Sequence, residues 1–258
     1  MVFTGTSGYS YPDWVGTFYP SGTRQQDMLR LYCERFDAVE VNFTYYRMPV
    51  AKTMESMARR TPQGFRFIVK AHQATTHKCD RSAADEFKAG IAPLAAAGKL
   101  SGILLQFPYS FKNAQEHRRY LYEVRQDFPD CELIVEFRHR SWIAEPIFQF
   151  LRENRLAFCC VDEPRIPGLV PPVAIATSDI AYVRFHSRDA SKWFDEGSKE
   201  RYNYRYSKEE LEEWVPKVRA LAEAATDVYV FFNNCHAGQA AANALEFKQM
   251  LLDLGGAN

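Results

Sequence analysis

Short runs of β-branched and aromatic residues recur along this 258-residue chain, and each run is predicted to form a β-strand. Most of them are followed by a segment whose apolar residues return with the period of an α-helix, about 3.6 residues. The eight predicted strands are residues 2–5, 38–42, 65–71, 102–107, 133–137, 157–161, 181–185 and 228–232. Such alternation is typical of a closed (β/α)8 barrel or of an open doubly wound sheet.

The number of units favours closure, so we predict an α/β fold with a single TIM-like (β/α)8 barrel domain over residues 1–258. No Gly/Ser-rich linker divides the chain, and the predicted helices include residues 25–36 and 239–254. The sixth unit is predicted to be irregular, because four prolines lie within residues 164–172. Pro216 is expected to kink or break the helix that follows the seventh strand.

The charge balance excludes some classes of protein. The chain has 32 Lys+Arg and 32 Asp+Glu, whereas a general nucleic-acid-coating protein needs an excess of basic residues. A local basic pocket is compatible with this neutrality. No run approaches the roughly 20 apolar residues of a membrane span, and residues 1–5 lead directly into a predicted strand. We therefore expect a cytoplasmic protein with no membrane partner; the sequence does not indicate its oligomeric state.

The predicted strands end in polar residues, and this feature points to a site. In a TIM-like barrel, the carboxyl ends of the strands and the loops after them carry the catalytic groups. In four strands, two polar residues stand two apart, the spacing that places both on one face. The polar strand-end residues are Glu40, Asn42, Lys70, His72, Gln106, Glu136, Arg138, Asp162, Arg184, His186, Asn233 and Asn234. We therefore predict an ionisable ring at one end of the barrel.

Two interpretations of this ring stay open. In the first, Glu40 and Glu136 act as catalytic acid/base groups. Lys70 then belongs to the same catalytic site and holds an anion together with Arg138 and Arg184, while His72 or His186 moves protons. In the second, the two carboxylates pair with Lys70 and Arg138 in a structural ion network, since an unpaired buried charge is costly.

The ring also contains side chains of the types that bind zinc or manganese. They are Glu40, His72, Glu136, Asp162 and His186. No H-x-H or H-E-x-x-H spacing supports a particular set, and the charges of Lys70 and Arg138 already offset the carboxylates. We therefore assign no metal ligands, and a divalent metal cofactor stays open.

Five cations near the predicted mouth of the barrel favour a small anionic ligand such as a phosphate or a carboxylate. They are Arg47, Lys70, Arg138, Arg184 and Arg188. Residues 233–239 add a second feature, because Gly238 and the first free N–H groups of the following helix can form an anion cradle. Asn and Gly before a helix are also ordinary capping residues, so both interpretations remain.

Two aromatic segments lie on the predicted loops of the mouth. Tyr9, Tyr11 and Trp14 follow the first strand, and Trp193 lies in residues 187–207, the longest connection in the chain. A connection of that length is typical of a lid or a binding element. These rings can stack on a base or another ring, or they can plug the top of the barrel.

Several motifs resemble the YecE-like proteins, a widespread bacterial and archaeal family also described as domain of unknown function 72. They are GTSGY at 5–9, FYP at 18–20, VEVN at 39–42, FIVKA at 67–71, LLQFP at 104–108, EFRH at 136–139, YVRFH at 182–186 and FNN at 232–234. The resemblance covers nearly the whole chain and implies a TIM-like barrel whose polar strand-end residues surround one cleft. It also implies Tyr46 and Trp142 as part of that cleft. Phe43 and Ser187 depart from the usual family pattern.

We predict an enzyme that acts on a phosphorylated or other anionic substrate by acid/base or hydrolytic chemistry. The alternatives are a non-catalytic nucleic-acid or nucleotide-binding module and a metal-dependent phosphodiesterase that resembles apurinic endonuclease four. The predicted catalytic residues are Glu40, Lys70, Glu136 and His186. The predicted substrate-binding residues are Tyr9, Trp14, Asn42, Tyr46, His72, Gln106, Arg138, Trp142, Arg184, Asn233, Asn234 and Gly238.

Overall fold

The computed structural model describes residues 1–194 and 199–253. At its centre is an eight-stranded parallel sheet in the order β1-β8-β7-β6-β5-β4-β3-β2, which curls into a nearly closed barrel. The strands are β1 (Val2–Thr6), β2 (Ala38–Val41), β3 (Arg66–Lys70), β4 (Leu100–Gln106), β5 (Leu133–Glu136), β6 (Leu156–Asp162), β7 (Ile180–Phe185) and β8 (Asp227–Phe232). The predicted TIM-like (β/α)8 fold is confirmed, and the strand bounds differ from the prediction by one or two residues at most ends.

Helices occupy most of the connections between the strands. Those in the described residues are α1 (Met28–Tyr32), α2 (Ala51–Arg59), α3 (Gln73–His77), α4 (Ala84–Ala96), α5 (Gln115–Asp127), α6 (Glu145–Glu153), α7 (Lys208–Glu212), α8 (Val215–Ala224) and α9 (Gln239–Asp253). The helix predicted over 25–36 is shorter, because 25–27 form a 3-10 turn and the chain tightens into turns after Tyr32. Residue 254, the predicted end of α9, lies outside the described residues.

The barrel closes between β1 and β2, where a side chain helps to join the strands. Ser7 and Glu40 form a single parallel bridge, and the hydroxyl of Tyr32 accepts a hydrogen bond from the Thr6 N–H at 2.9 Å. The same hydroxyl donates to the Ala38 carbonyl at 3.1 Å. Gly5 permits this approach, since a Cβ there would lie 2.4 Å from the Ala38 oxygen.

The prolines have the predicted effects. Residues 163–179, all of which the structure describes, contain no helix, so the sixth unit is irregular as predicted. Pro216 stands in the first turn of α8, two residues after the break that separates α8 from α7. A proline is tolerated there because the first helical N–H groups have no partner within the helix.

The interior of the barrel changes from apolar to polar along its axis. Near the amino ends of the strands, the side chains of Ile68 and Ile134 close over Gly102, where a Cβ would lie 2.7 Å from the Ile134 methyl group. Further along β7, Tyr182 and Arg184 point inwards, while Phe185 packs against α9 outside the barrel. The strand period of two therefore places charged side chains inside the carboxyl end.

Candidate functional site

A buried ion cluster lies at the carboxyl end of the barrel, with Arg184 at its centre. The guanidinium of Arg184 donates to Glu136 Oε2 at 2.5 Å and to Glu40 Oε1 at 2.8 Å. The hydroxyl of Tyr182 donates to the other Glu40 oxygen at 2.6 Å. These side chains have almost no contact with solvent, so their charges are compensated within the protein rather than by water.

Arg138 extends the cluster towards the mouth. Its Nη2 lies 2.6 Å from Glu136 Oε1, and its Nη1 donates to Glu163 Oε2 at 2.9 Å. The second carboxylate oxygen of Glu163 accepts a hydrogen bond from the Val170 N–H at 3.1 Å. Sequence reasoning did not find Glu163, although the acidic pair Asp162–Glu163 directly after a strand was a signal for it.

The two carboxyl groups that contact Arg138 differ in proton affinity. Burial opposes ionisation of Glu136, but the charges of Arg138 and Arg184 outweigh it and hold the pKa of Glu136 well below its usual value. Burial raises the pKa of Glu163 to about 7, and only Arg138 acts strongly against it. Glu136 is therefore a fixed negative charge, whereas Glu163 titrates near neutral pH.

His186 is a neutral imidazole in this environment. Burial, followed by the charge of Arg138, lowers its pKa well below the usual value, and the residue is 1% exposed. The side-chain amide of Asn233 lies 3.1 Å from Nδ1, and because an amide nitrogen is a donor, Nδ1 accepts. The ring proton then resides on Nε2, which lies 3.2 Å from Glu136 Oε1.

Lys70 differs from Arg138 and Arg184 in the kind of partner that it contacts. Its ammonium donates to Gln106 Oε1 at 3.0 Å and lies 4.5 Å from the centre of the Tyr45 ring. Among the described residues, no carboxylate oxygen lies within 4.0 Å of its Nζ. Burial and the positive charge of Arg184 lower the pKa of Lys70 to about 7.

The long connection after β7 covers part of this cluster. The Trp193 ring lies 5.4 Å from the guanidinium carbon of Arg138 and 5.1 Å from that of Arg201, and 6.1 Å from the ring of His186. Trp193 is 5% exposed, so its faces are occupied by protein. The predicted lid segment 187–207 includes residues 195–198, which lie outside the described residues.

Arg188 and the predicted anion cradle already bind carboxylates of this protein. Arg188 makes two hydrogen bonds to Asp162, at 2.9 and 2.8 Å, and further bonds to Glu213. In the segment that contains Gly238, the Ala237 N–H donates to an Asp13 oxygen at 2.7 Å. The cradle therefore already holds a carboxylate of the N-terminal loop.

Several predicted substrate-binding residues have contacts of a structural kind. The His72 ring accepts from the Ala74 N–H and caps α3. The Trp142 indole donates to the Phe111 carbonyl at 2.7 Å, and the Trp14 indole donates to the Cys235 carbonyl at 2.7 Å. Both tryptophans are fully buried, so they hold loops against the barrel.

The remaining predicted residues divide between the interior and the rim. Asn234 is fully buried and donates to the Tyr204 carbonyl and to the Asn243 side chain. Asn42 directly follows β2, and its Oδ1 is a buried atom without a hydrogen-bond partner among the described residues. Tyr9 is half-buried beside Tyr32, and Tyr46 is 70% exposed on the rim. The structure thus gathers the charged candidates into one cluster and leaves most of the aromatic ones outside it.

The described residues contain neither a metal site nor a membrane span. Within residues 1–194 and 199–253, no group of three or more His, Cys, Asp and Glu side chains is arranged to hold a metal ion. Glu40 and Glu136 point their oxygens at arginines instead. No helix of this part of the chain is both long enough and apolar enough to cross a membrane.

These features define a class: a parallel α/β barrel of the TIM type with a buried ion cluster and one unpaired lysine at the carboxyl ends of its strands. The chain belongs to the DUF72 family, described as a protein of unknown function, whose model matches residues 3–256. This agrees with the YecE-like resemblance.

Relatives match over almost their whole length. UPF0759 protein YunF of Bacillus subtilis is 33% identical over 270 residues, which cover 97% of this chain and 95% of that protein. The crystal structure of a DUF72 family protein of Thermotoga maritima is 42% identical with a TM-score of 0.91, covering 98% of this chain and 99% of that one. A DUF72 family protein of Enterococcus faecalis is 28% identical with a TM-score of 0.87, covering 98% and 96%.

Proposed function

We propose that this protein is an enzyme that binds a small anionic substrate at the mouth of the barrel and exchanges a proton with it through Lys70. The observation that carries the proposal is the environment of this lysine, which lies among buried charges without a carboxylate partner in the described residues. A lysine whose pKa is about 7 can both donate and accept a proton near neutral pH. An ammonium without a counter-ion is also a binding group for an anion.

In this proposal the rest of the cluster gives Lys70 its properties. Glu40, Glu136 and Arg184 form a fixed set of charges, since Arg184 of β7 pairs with a carboxylate of β2 and with one of β5. Burial and then the positive charge of Arg184 lower the pKa of Lys70, against the opposite effect of Glu136 and Glu40. The catalytic role expected for Glu40 and Glu136 thereby becomes electrostatic, and His186 contributes a neutral donor rather than a proton shuttle.

The alternatives have less support. Base stacking needs exposed ring faces, but Trp14 is 0% exposed and Trp193 is 5% exposed. A phosphodiesterase centred on a metal needs carboxylates that are available as ligands, and Glu40, Glu136 and Asp162 each contact an arginine.

The test is a thermal-shift screen of a metabolite library against the unaltered protein and Lys70→Met. We expect at least one anionic metabolite that stabilises the unaltered protein and loses its effect in Lys70→Met, because ligand binding raises the melting temperature. Lys52→Met, at an exposed lysine of α2, is the matched control and should keep the full shift. Ligands that stabilise all three proteins equally, or no anionic ligand at all, would contradict the proposal.

A further inference from the structure

The irregular segment after β6 places one of its own carboxylates in the mouth. Glu163 is the first residue beyond β6, and its side chain is 2% exposed. A helix would normally begin within a few residues, but the chain instead turns so that the Val170 N–H returns to Glu163 Oε1. The other oxygen faces Arg138 Nη1 at 2.9 Å.

Two donors therefore converge on a single carboxylate at this point. One is a guanidinium N–H and the other a backbone N–H, and both belong to buried residues. Arg138 does not depend on Glu163 for its position, since its Nη2 also contacts Glu136 and Trp193 lies over its guanidinium. If the Glu163 side chain moved away, Arg138 Nη1 and the Val170 N–H would remain as a preformed site for another carboxylate.

We propose that the substrate carries a carboxylate, which takes the place of the Glu163 side chain on Arg138 Nη1 and the Val170 N–H. The Glu163 carboxylate then occupies this site in the free protein, and the carboxylate of the substrate displaces it. This inference rests on the proposed function, because the substrate anion enters the same mouth that Lys70 faces. It adds a class of substrate and a role for the irregular sixth unit.

The charges around Glu163 make this exchange feasible. The groups that face it are Arg138 and Glu136 of the β5 end, and His186 of the β7 end contacts the same Glu136 oxygen as Arg138. Burial and the repulsion from Glu136 raise the pKa of Glu163 to about 7, so its ionised form is poorly stabilised. Protonation at slightly acidic pH removes the charge that competes with an incoming carboxylate.

The direct test is chemical rescue of Glu163→Ala with acetate at pH 8. The substitution removes the carboxylate and leaves both donors, so acetate should raise the melting temperature of this variant with a saturable dependence. Glu213→Ala is the matched control, because Glu213 also pairs with an arginine, Arg188, but on the surface. It should show no saturable shift. Absence of the shift in Glu163→Ala, or rescue by inorganic phosphate alone, would overturn the inference.

A second arm uses pH and does not depend on the folding of Glu163→Ala. With a Glu163 pKa of about 7, acetate should bind the unaltered protein about tenfold more tightly at pH 6 than at pH 8. Calorimetry should find this difference in Lys70→Met and no such difference in Glu163→Gln. A difference that persists in Glu163→Gln would overturn the inference and leave the proposed function intact. Acetate rescue without any Lys70-dependent metabolite would count against the proposed function alone.

Discussion

Arg184 is the side chain on which the buried cluster depends most. It is 1% exposed and contacts carboxylates of two other strands, Glu40 of β2 and Glu136 of β5. Removing one partner of a buried ion pair leaves an uncompensated charge, whereas replacing the whole cluster by apolar side chains can be neutral. The arrangement is therefore sensitive to single substitutions, whatever its net contribution to stability.

We expect Arg184→Met to lower the free energy of unfolding by about 3–5 kcal/mol, because the buried Glu40 loses its arginine partner and Glu136 keeps only Arg138. Urea unfolding followed by circular dichroism measures the change. Arg152→Met is the matched control, since Arg152 pairs with Glu145 on the surface and such pairs contribute at most about 1 kcal/mol. Equal effects of the two substitutions would show that the cluster is not a coupled unit.

Lys70 should titrate near pH 7, because burial and then the charge of Arg184 lower its pKa. After reductive ¹³C-methylation, we expect one dimethyl-lysine resonance to shift around pH 7 and to be absent from Lys70→Met. Between this pKa and the unfolded value of about 10.4, the unfolded chain binds more protons than the folded one, so Lys70 makes stability rise with pH in that window. Lys70→Met should remove this rise. A Lys70 resonance that titrates only above pH 10 would contradict the burial argument.

At the scale of elements, the seam between β1 and β2 is the weakest joint of the barrel. The other neighbouring strands pair through ladders of three or more residue pairs, but these two are joined by one bridge, the Gly8 N–H that donates to the Glu40 carbonyl, and the hydroxyl of Tyr32. A side chain from α1 therefore substitutes for backbone hydrogen bonds, and burial of that hydroxyl makes its loss costly.

We predict that Tyr32→Phe destabilises the protein by about 1–3 kcal/mol, because the Thr6 N–H and the Ala38 carbonyl lose a buried partner. Hydrogen exchange should locate the effect, with faster exchange of the Thr6 amide. Tyr122→Phe serves as the control, since Tyr122 is 51% exposed on α5 and water can take over the hydrogen bonds of its hydroxyl. Unchanged exchange at Thr6 in Tyr32→Phe would mean that the seam does not need the hydroxyl.

Site residues that lie on strands were predictable from the sequence, whereas those on loops were not. The period of two along β5 and β7 correctly placed Glu136 with Arg138 and Arg184 with His186, because that spacing is a local property of any strand. Loop contributions were not predictable in the same way. Glu163 and Trp193 lie in segments without a regular period, so their directions depend on contacts made elsewhere in the fold.

For the whole molecule, we predict one cooperative unfolding transition, as expected of a single barrel domain. The tryptophans report on separate parts of the structure: Trp14 follows β1, Trp142 follows β5, Trp193 follows β7 and Trp214 precedes α8. All four are buried, so fluorescence is sensitive to each region. Fluorescence and far-UV circular dichroism should therefore give the same urea midpoint, and separate midpoints would contradict a single domain.

Features that follow from local chemistry were predictable from the order of the residues. Eight strand-type runs predicted the barrel, the prolines after the sixth run predicted an irregular unit, and the polar strand ends indicated where charges gather. Each of these depends on a residue and its near neighbours in the chain. The same physics explains why the bounds of most strands were correct to within one or two residues.

The pairing of the charges, in contrast, depends on contacts across the closed barrel. Arg184 reaches Glu136 across 48 residues and Glu40 across 144, and no local pattern encodes a choice among carboxylates so far apart in the chain. The five predicted cations of the mouth appeared equivalent in sequence, yet Arg138, Arg184 and Arg188 have carboxylate partners and Lys70 has an amide. Arg47, the fifth, forms no ion pair with a carboxylate of the described residues. Electrostatic interactions depend on distance and burial, and both are set only when the barrel closes.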